Sequence, residues 1–242
     1  MAVTMKKGSK PAWAKTGKAA QKAFEKEEAK KEQQQEQSKR LRRHWMPKNT
    51  ETQLTFLDGN LDDDGVLDAM VFHEHQVFMN GNWRNWFVCT QDQEPCPICE
   101  GGDNPSLVGV FTVIDHSEFE YNGKTYKNIR KLFVAKTQTM KQLQKIAAKR
   151  DGLAGATFDV SRTGDKSAGV GDMFDFTEKR SLAQLKKAYP DVTEWGPANY
   201  EEEIIYKDAD ELRAIGFGTD SMIGNETPLG DEAENTNPEA DM

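Results

Sequence analysis

The hydrophobic and polar positions divide the chain into a polar head, a middle of short alternating segments and a polar tail. From residue 1 to about 45, Lys, Ala, Glu and Gln dominate without an apolar stripe at helical spacing. From about residue 50, apolar residues recur at every second position in short stretches bounded by turn-forming residues, a pattern typical of half-buried strands. From about residue 218 the chain is polar again. The pattern predicts an antiparallel β-domain between two charged ends.

Two hairpins are the clearest local signals in the middle of the chain. Asn80-Gly81 and Asn122-Gly123 each separate two alternating segments, and Asn-Gly favours a two-residue hairpin turn. TQTMKQLQKIAAKRDG has its apolar residues on one helical face, SLAQLKKAYP and DADELRAIGF read as shorter helices, and YEEEIIYK reads as a strand. We therefore predict a mainly β protein, an OB-fold-like barrel with an embedded zinc-binding subdomain, a few helices and disordered charged tails.

Charge is distributed unevenly along the chain, although its formal net value is only -8. Residues 1–48 carry fourteen Lys/Arg against five Asp/Glu, whereas residues 201–242 carry two against thirteen. A basic head is typical of proteins that bind a polyanion, and an acidic tail is typical of contacts with basic partner proteins. We therefore divide the chain into a mobile basic N-terminal arm (1–48), the core (49–217) and a disordered acidic tail (218–242).

The composition argues against a membrane or secreted protein. No stretch approaches the roughly 20 apolar residues of a membrane span, and no apolar segment follows the N-terminal lysines to form a signal peptide. We expect a cytoplasmic protein without membrane contact. In a reducing compartment, three clustered cysteines are more often metal ligands or redox groups than structural disulfides.

All three cysteines and two of the four histidines lie between residues 72 and 102. Cys96 and Cys99 have the two-residue spacing with which one tight turn presents two thiolates to a tetrahedral zinc ion. Cys89 ends the second strand of the first hairpin, and His75 or His73 lies on the partner strand. We favour His75, because it is nearer the turn and so nearer Cys89. The pattern predicts a closed, structural Cys3His zinc site in a subdomain at about 70–105, rather than a redox pair.

Aromatic and cationic residues alternate in both hairpins, as in surfaces that stack unpaired bases on rings while Lys and Arg contact phosphates. The candidate DNA-binding residues are Trp83, Arg84, Trp86, Tyr121, Lys124, Tyr126, Lys127, Arg130, Lys131 and Phe133. Because alternate residues of a strand face the core, some of these aromatics are structural, and Phe133 fits either role. No Ser-His-Asp or Cys-His arrangement is suggested, so we do not expect an enzyme. A zinc-stapled scaffold whose charged tails dock protein partners is the alternative function.

The segment from TQLTFLDG through His75, Trp83, Cys89 and the CPIC knuckle resembles the zinc-containing single-stranded DNA-binding proteins of T-even-like and other tailed bacteriophages. The resemblance covers about residues 50 to 135 well and continues weakly to about 210. It implies an OB-fold core and cooperative, sequence-independent coating of single strands in replication, recombination and repair. It also implies His75, Cys89, Cys96 and Cys99 as zinc ligands, and Trp83 beside the DNA cleft.

The same resemblance implies partners for both charged ends. The basic N-terminal segment is expected to contact neighbouring protomers on the DNA, and the acidic tail is expected to recruit phage replication and recombination proteins. The expected location is the cytoplasm of the infected bacterial host cell. The uneven charge along the chain supports this arrangement independently of the resemblance.

Overall fold

A computed structural model describes residues 14–79, 81–164 and 167–218 of the chain. It divides the chain into two units, one that ends at Arg40 and one that begins at Leu41. The predicted disordered tail lies outside the described residues apart from Gly218, as do residues 1–13 of the predicted arm. Among the described residues, no helix has the length and apolar character needed to cross a membrane.

The described part of the first unit, residues 14–40, forms the helix α1 (Lys18–Lys39), built from residues with high helix propensity. Phe24, which lies on this helix, is 71 % exposed. A helix without an apolar stripe buries little surface, so its stability depends on propensity more than on packing. The mobility expected for this arm stays a prediction.

The second unit is mainly β, which confirms that part of the predicted fold class. Its elements in chain order are β1 (Thr50–Phe56), β2 (Met70–Met79), β3 (Asn82–Val88), α2 (Pro97–Glu100), β4 (Ser106–Asp115), β5 (Phe119–Tyr121), β6 (Lys124–Tyr126), β7 (Ile129–Lys136), α3 (Thr137–Arg150), β8 (Ala156–Arg162), β9 (Met173–Lys179), α4 (Leu182–Ala188), α5 (Tyr200–Glu203) and α6 (Ala209–Ala214). Both predicted hairpins are present as β2–β3 and β5–β6, and these strands pair with their neighbours in antiparallel orientation.

Strand β4 is the centre of the larger sheet, whose order is β3-β2-β4-β1-β8-β9. The first half of β4 pairs with β2, its second half pairs with β1, and its other edge pairs with β7 along almost its whole length. The hairpin β5–β6 forms a separate two-stranded sheet. The hairpin β2–β3 therefore pairs with β4 through β2, and the hairpin β5–β6 follows β4 in the chain.

A cluster of phenylalanines forms the main hydrophobic core. Phe56 contacts Phe111, Phe133 and Phe158 in edge-to-face geometry, at centroid distances of 5.8, 5.2 and 5.7 Å. All four side chains are fully buried. The predicted helix α3 covers this core with Leu143 and other apolar residues of one face. These contacts join four strands, β1, β4, β7 and β8, so the core depends on the pairing of those strands.

The opposite face of β4 and β7 is covered by residues from the segment 196–206. The phenol of Tyr200 donates to Asp58 and lies 2.8 Å from the hydroxyl of Thr112. Ala198 and Ile204 pack on the same face. The sequence YEEEIIYK was expected to be a strand, but residues 200–203 form a single helical turn. Side-chain anchoring by Tyr200 replaces the strand pairing that the pattern predicted.

Residues 41–46, which belong to the predicted N-terminal arm, lie along β7. The amide of His44 donates to the carbonyl of Leu132 at 2.7 Å, and the amide of Leu132 donates to the carbonyl of Arg42 at 2.8 Å. The amide of Met46 donates to Gly169 at 2.8 Å. These hydrogen bonds hold the end of the basic segment, which is part of the second unit, against β7 and Gly169.

Candidate metal centre and aromatic hairpins

The hairpin β2–β3 and the knuckle that follows it bring the predicted metal ligands together. His75 pairs with Phe87 across the hairpin, two residues before Cys89. The amide of Cys89 donates to the carbonyl of His73 at 2.8 Å, which continues the ladder past the end of β3. This antiparallel register is what places an imidazole of one strand beside a thiol that follows the other.

The four side chains form a group that could hold a metal ion. Their ligand atoms all lie within 4.8 Å of one another. The sulfurs of Cys89 and Cys99 are 3.6 Å apart, and Nε2 of His75 is 3.5 Å from the sulfurs of Cys96 and Cys99. Zn–S bonds of about 2.3 Å and Zn–N bonds of about 2.0 Å give tetrahedral edges of about 3.8 and 3.5 Å. A buried cluster of this composition can bind a metal ion through four protein ligands.

His73 lies apart from these sulfurs. Its side chain is 42 % exposed, and its Nδ1 atom lies 3.5 Å from the carboxylate of Asp92. His73 and His75 share a strand face, as expected, but only His75 is covered by the knuckle and fully buried. The structure therefore places His75, rather than the alternative histidine, at the cluster.

The knuckle itself is a single helical turn. Cys96 has an extended backbone, Pro97 begins the turn of α2, and the chain leaves it through Gly102 at φ +91°. The chain after this turn, residues 101–105, is loop. The turn is only four residues long, because Gly101 and Gly102 follow immediately. It presents Cys96 and Cys99 on the same side.

The thiols differ in how easily they ionise. Burial opposes ionisation of Cys96, but backbone amides that include those of Cys99 and Ile98 donate to its sulfur and lower its pKa to about 6. Burial and the neighbouring sulfurs of Cys89 and Cys96 raise the pKa of Cys99 to about 12. A cation at the centre of the cluster favours the thiolate of every cysteine that binds it. Without a bound cation, the raised pKa values of Cys89 and Cys99 oppose the simultaneous ionisation of all three thiols.

Asp103 is a functional residue that the sequence reasoning missed. Its carboxylate lies 2.6 Å from Nδ1 of His75, so the imidazole presents Nε2 to the sulfurs. A carboxylate that holds the second nitrogen of a ligating histidine fixes its tautomer and orientation. The only signal in the sequence was an acidic residue four positions after the second knuckle cysteine, which is too common to stand out.

Arg43 is a second residue that the sequence reasoning missed. Its guanidinium forms two hydrogen bonds of 2.9 and 2.8 Å with Glu74, which is buried on β2. It also lies 4.4 Å from the ring centroid of Trp86 on β3. Arg43 therefore joins residues 41–46 to the metal-binding hairpin, and one face of the Trp86 ring is already in contact with a cation.

The tip of the β2–β3 hairpin carries an exposed aromatic pair. Trp83 is half-buried and packs against Phe78 with 5.3 Å between ring centroids. Phe78 is 43 % exposed, although it was not among the predicted residues. Arg84 follows Trp83 on β3 and is half-buried. The predicted aromatic at this tip is therefore accessible, together with a second ring.

The β5–β6 hairpin carries a second aromatic pair. Phe119 stacks on Tyr126 at 5.4 Å with 13° between the ring planes, and the ammonium of Lys124 lies 5.2 Å from the Tyr126 ring. Tyr121 pairs with Lys124, so these four residues share one face of the hairpin. Lys127 is exposed just after β6. This hairpin presents rings and cations on one face.

The predicted residues on β7 have protein partners. Arg130 donates to Glu194 at 2.5 Å, and Lys131 donates to Asp115 at 3.1 Å. Phe133 is fully buried in the main core, which is the structural role that the sequence left open for it. These three candidate DNA-binding residues are therefore engaged within the fold.

The two aromatic pairs lie at opposite ends of β4. Glu74 of β2 pairs with Ser106, the first residue of β4, so the hairpin tip beyond Glu74 extends past that end. The β5–β6 hairpin follows Asp115, the last residue of β4. Ten residues of strand span roughly 30 Å. The sequence suggested that the aromatic residues form one surface. In the structure they form two separate patches.

Comparison of the chain with known proteins finds no matching family model, no matching curated protein and no matching solved structure.

Proposed function

We propose that this protein is a non-catalytic, sequence-independent single-stranded DNA-binding protein that coats and protects DNA during phage replication, recombination and repair. The observation that carries the proposal is the pair of aromatic patches on projecting hairpins, Phe78 with Trp83 and Phe119 with Tyr126. Phe78 and Phe119 are exposed, and Trp83 and Tyr126 are half-buried, so part of each aromatic pair is accessible to solvent. These rings are suited to stack on bases, at about 1–3 kcal/mol per stacked base.

Zinc is the metal we propose for the His75, Cys89, Cys96 and Cys99 cluster. Three thiolates and one imidazole favour zinc over magnesium or calcium, which prefer oxygen ligands. The interatomic distances match tetrahedral edges, and four protein ligands leave no open position for catalysis. The ion supports the proposed function by holding the polar loop after β3 against the hairpin that carries Trp83.

An OB-fold-like barrel is the finer fold that we propose. Strand β1 pairs with both β4 and β8, β4 pairs with β7, and β8 pairs with β9. These five strands surround the phenylalanine core, as in a partly open Greek-key barrel. OB-folds bind single strands with site sizes of about 4–16 nucleotides. A strand that contacts both hairpins needs several nucleotides, because β4 separates the two patches.

The charged ends supply the remaining interactions in this proposal. The basic arm contacts neighbouring protomers along the DNA, and the acidic tail recruits phage replication and recombination proteins. Lys124 and Lys127 lie beside the second aromatic patch and are the cations best placed to contact phosphates. The protein acts in the cytoplasm of the infected host cell.

Fluorescence anisotropy of labelled oligo-dT tests this proposal. The full chain with zinc should bind at low salt, and its affinity should fall linearly with salt on a logarithmic scale as phosphates release counterions. Trp83→Ala and Tyr126→Ala should each weaken binding by about 1–3 kcal/mol. Met173→Ala is the control, because Met173 is exposed on β9, which carries neither aromatic patch. Absence of oligo-dT binding by the unaltered protein at low salt would overturn the proposal and favour a zinc-stapled scaffold.

A further inference from the structure

Helix α6 and the residues on either side of it pack on the metal-binding knuckle. Leu212 is fully buried and Phe217 is 5 % exposed, in one cluster with Ile98 and two of the ligand cysteines. The ring of Phe217 meets Phe87 edge-on at 5.2 Å. On the other side of the knuckle, the sulfurs face His75. The knuckle is therefore held between the metal cluster and the C-terminal helix.

Polar contacts fix the start of the same segment, and close packing places its end beside Pro97. The amide of Ala209 donates to Glu94 at 2.8 Å, and the phenol of Tyr206 donates to Gln93 at 3.0 Å. At Gly218, an added Cβ would lie 3.2 Å from Cβ of Pro97. The segment 206–218 thus follows the loop and knuckle from residue 93 to residue 100.

Helix α6 is too short to persist without this contact. It has six residues, and its capping box at Asp208 and Glu211 satisfies its first amides. Isolated helices shorter than about 12 residues are marginal in water even when they are capped. Leu212 and Phe217 therefore hold the helix in place, and both side chains bury against the knuckle.

The knuckle depends on the ion in turn. The polar loop and turn at 90–105 bury few apolar side chains, of which Ile98 is the main one. In small modules, binding of a structural zinc ion supplies much of the free energy of folding. Loss of the ion removes the main constraint on Cys96 and Cys99. The surface of Pro97 and Ile98 on which α6 packs is then no longer held in place.

We propose that metal binding docks the segment 206–218 on the knuckle, so that the metal sets the anchor point of the acidic sequence that follows. Residues 219–242 contain seven Asp/Glu and no Lys/Arg. Metal release frees the segment, so that the acidic sequence is no longer held at the knuckle. The inference does not depend on DNA binding, since the ligand concerned is the metal.

Hydrogen–deuterium exchange of the full chain tests the docking directly. Compared with the zinc-loaded protein, chelator-treated protein should exchange at least about tenfold faster at the amides of Leu212, Ile215 and Phe217. Peptides from β8 and β9 serve as the internal reference and should not change. Unchanged exchange in 206–218 alongside increased exchange in 96–101 would overturn the inference.

Reciprocity gives the second arm of the test. If metal binding favours docking, docking favours metal binding by the same factor. Phe217→Ala should lower zinc affinity by about tenfold in competition with a chromophoric chelator. Ile215→Ala is the matched control, because Ile215 is 39 % exposed and lies outside the cluster. Equal zinc affinities for the two variants would overturn the inference. This comparison stays valid even if the chelator-treated protein unfolds completely in the exchange experiment.

Discussion

The phenylalanine core and the metal module are held together in different ways. The core joins Phe56, Phe111, Phe133 and Phe158 from four strands, all fully buried. The metal module, formed by β2–β3, the knuckle and α6, is polar and has only a small apolar cluster beside its ligands. Loss of one core ring weakens every strand that contacts it, whereas loss of the ion affects the segments that it joins. We therefore expect the two regions to lose their structure independently of each other.

Removal of a metal ligand should have the largest effect and the most local one. Cys96→Ser should abolish tight zinc binding, which is worth on the order of 10 kcal/mol in comparable modules. Exchange should increase in β2, β3 and the knuckle, while β8 and β9 keep their protection. Chelator should change the melting curve of the unaltered protein but not that of this variant. Equal chelator sensitivity of the two proteins would show that Cys96 is not a ligand.

A core truncation should be the next largest effect and should act on the whole second unit. Phe158→Ala should lower the free energy of unfolding by about 3–5 kcal/mol, because it leaves a cavity among packed rings. Urea denaturation followed by circular dichroism measures this change. Phe119→Ala, at a side chain that is 36 % exposed, should change stability by less than about 0.5 kcal/mol. Similar losses for both variants would remove the distinction between core and surface rings.

Loss of the carboxylate behind the histidine ligand should weaken the metal site without destroying it. Asp103→Asn should lower zinc affinity by about 10- to 100-fold, since His75 loses the group that orients its ring. Asp92→Asn provides the matched control, because Asp92 is 78 % exposed and faces His73 instead. Chelator competition gives both values. A larger loss at Asp92 would point to His73 as the ligand.

The smallest effect concerns pH and lies outside the metal module. Burial raises the pKa of Asp58 from 3.8 to about 6, against the hydrogen bonds from Tyr200 and Thr112. The folded state therefore holds a proton that the unfolded state releases, and stability should fall as pH rises from about 4 to about 6. Asp58→Asn should flatten this dependence in thermal melts at a series of pH values. Asp62→Asn, in an exposed turn, should leave it unchanged.

Local signals predicted the elements of this fold well. Asn122-Gly123 marked the turn of β5–β6, the spacing of Met140, Leu143 and Ala147 marked α3, and Ser181 begins the short helix α4. Each of these signals depends on residues close together in sequence. The segment 200–206 was mistaken for a strand, because its apolar residues pack under a helical turn that is anchored by Tyr200.

The site was predictable only in part, because local signals identify only those residues that are close together in sequence. The CPIC spacing and the hairpin indicated the three cysteines and favoured His75 over His73. Asp103, Arg43 and Phe217 could not be recognised, since their partners are on other elements and no spacing rule connects them. The candidate DNA-binding residues were chosen by residue type, and type does not distinguish Phe133 in the core from Tyr126 on the surface.

The sequence by itself determined the alternating strands, the hairpin turns, the uneven charge and the clustering of cysteines, because these properties depend on neighbours in the chain. Only the tertiary structure decided that Asp103 lies behind His75, that the aromatic residues form two patches at opposite ends of β4, and that α6 packs on the knuckle. Strand register and packing between distant segments decide these points. They arise from many weak contacts summed over the whole fold.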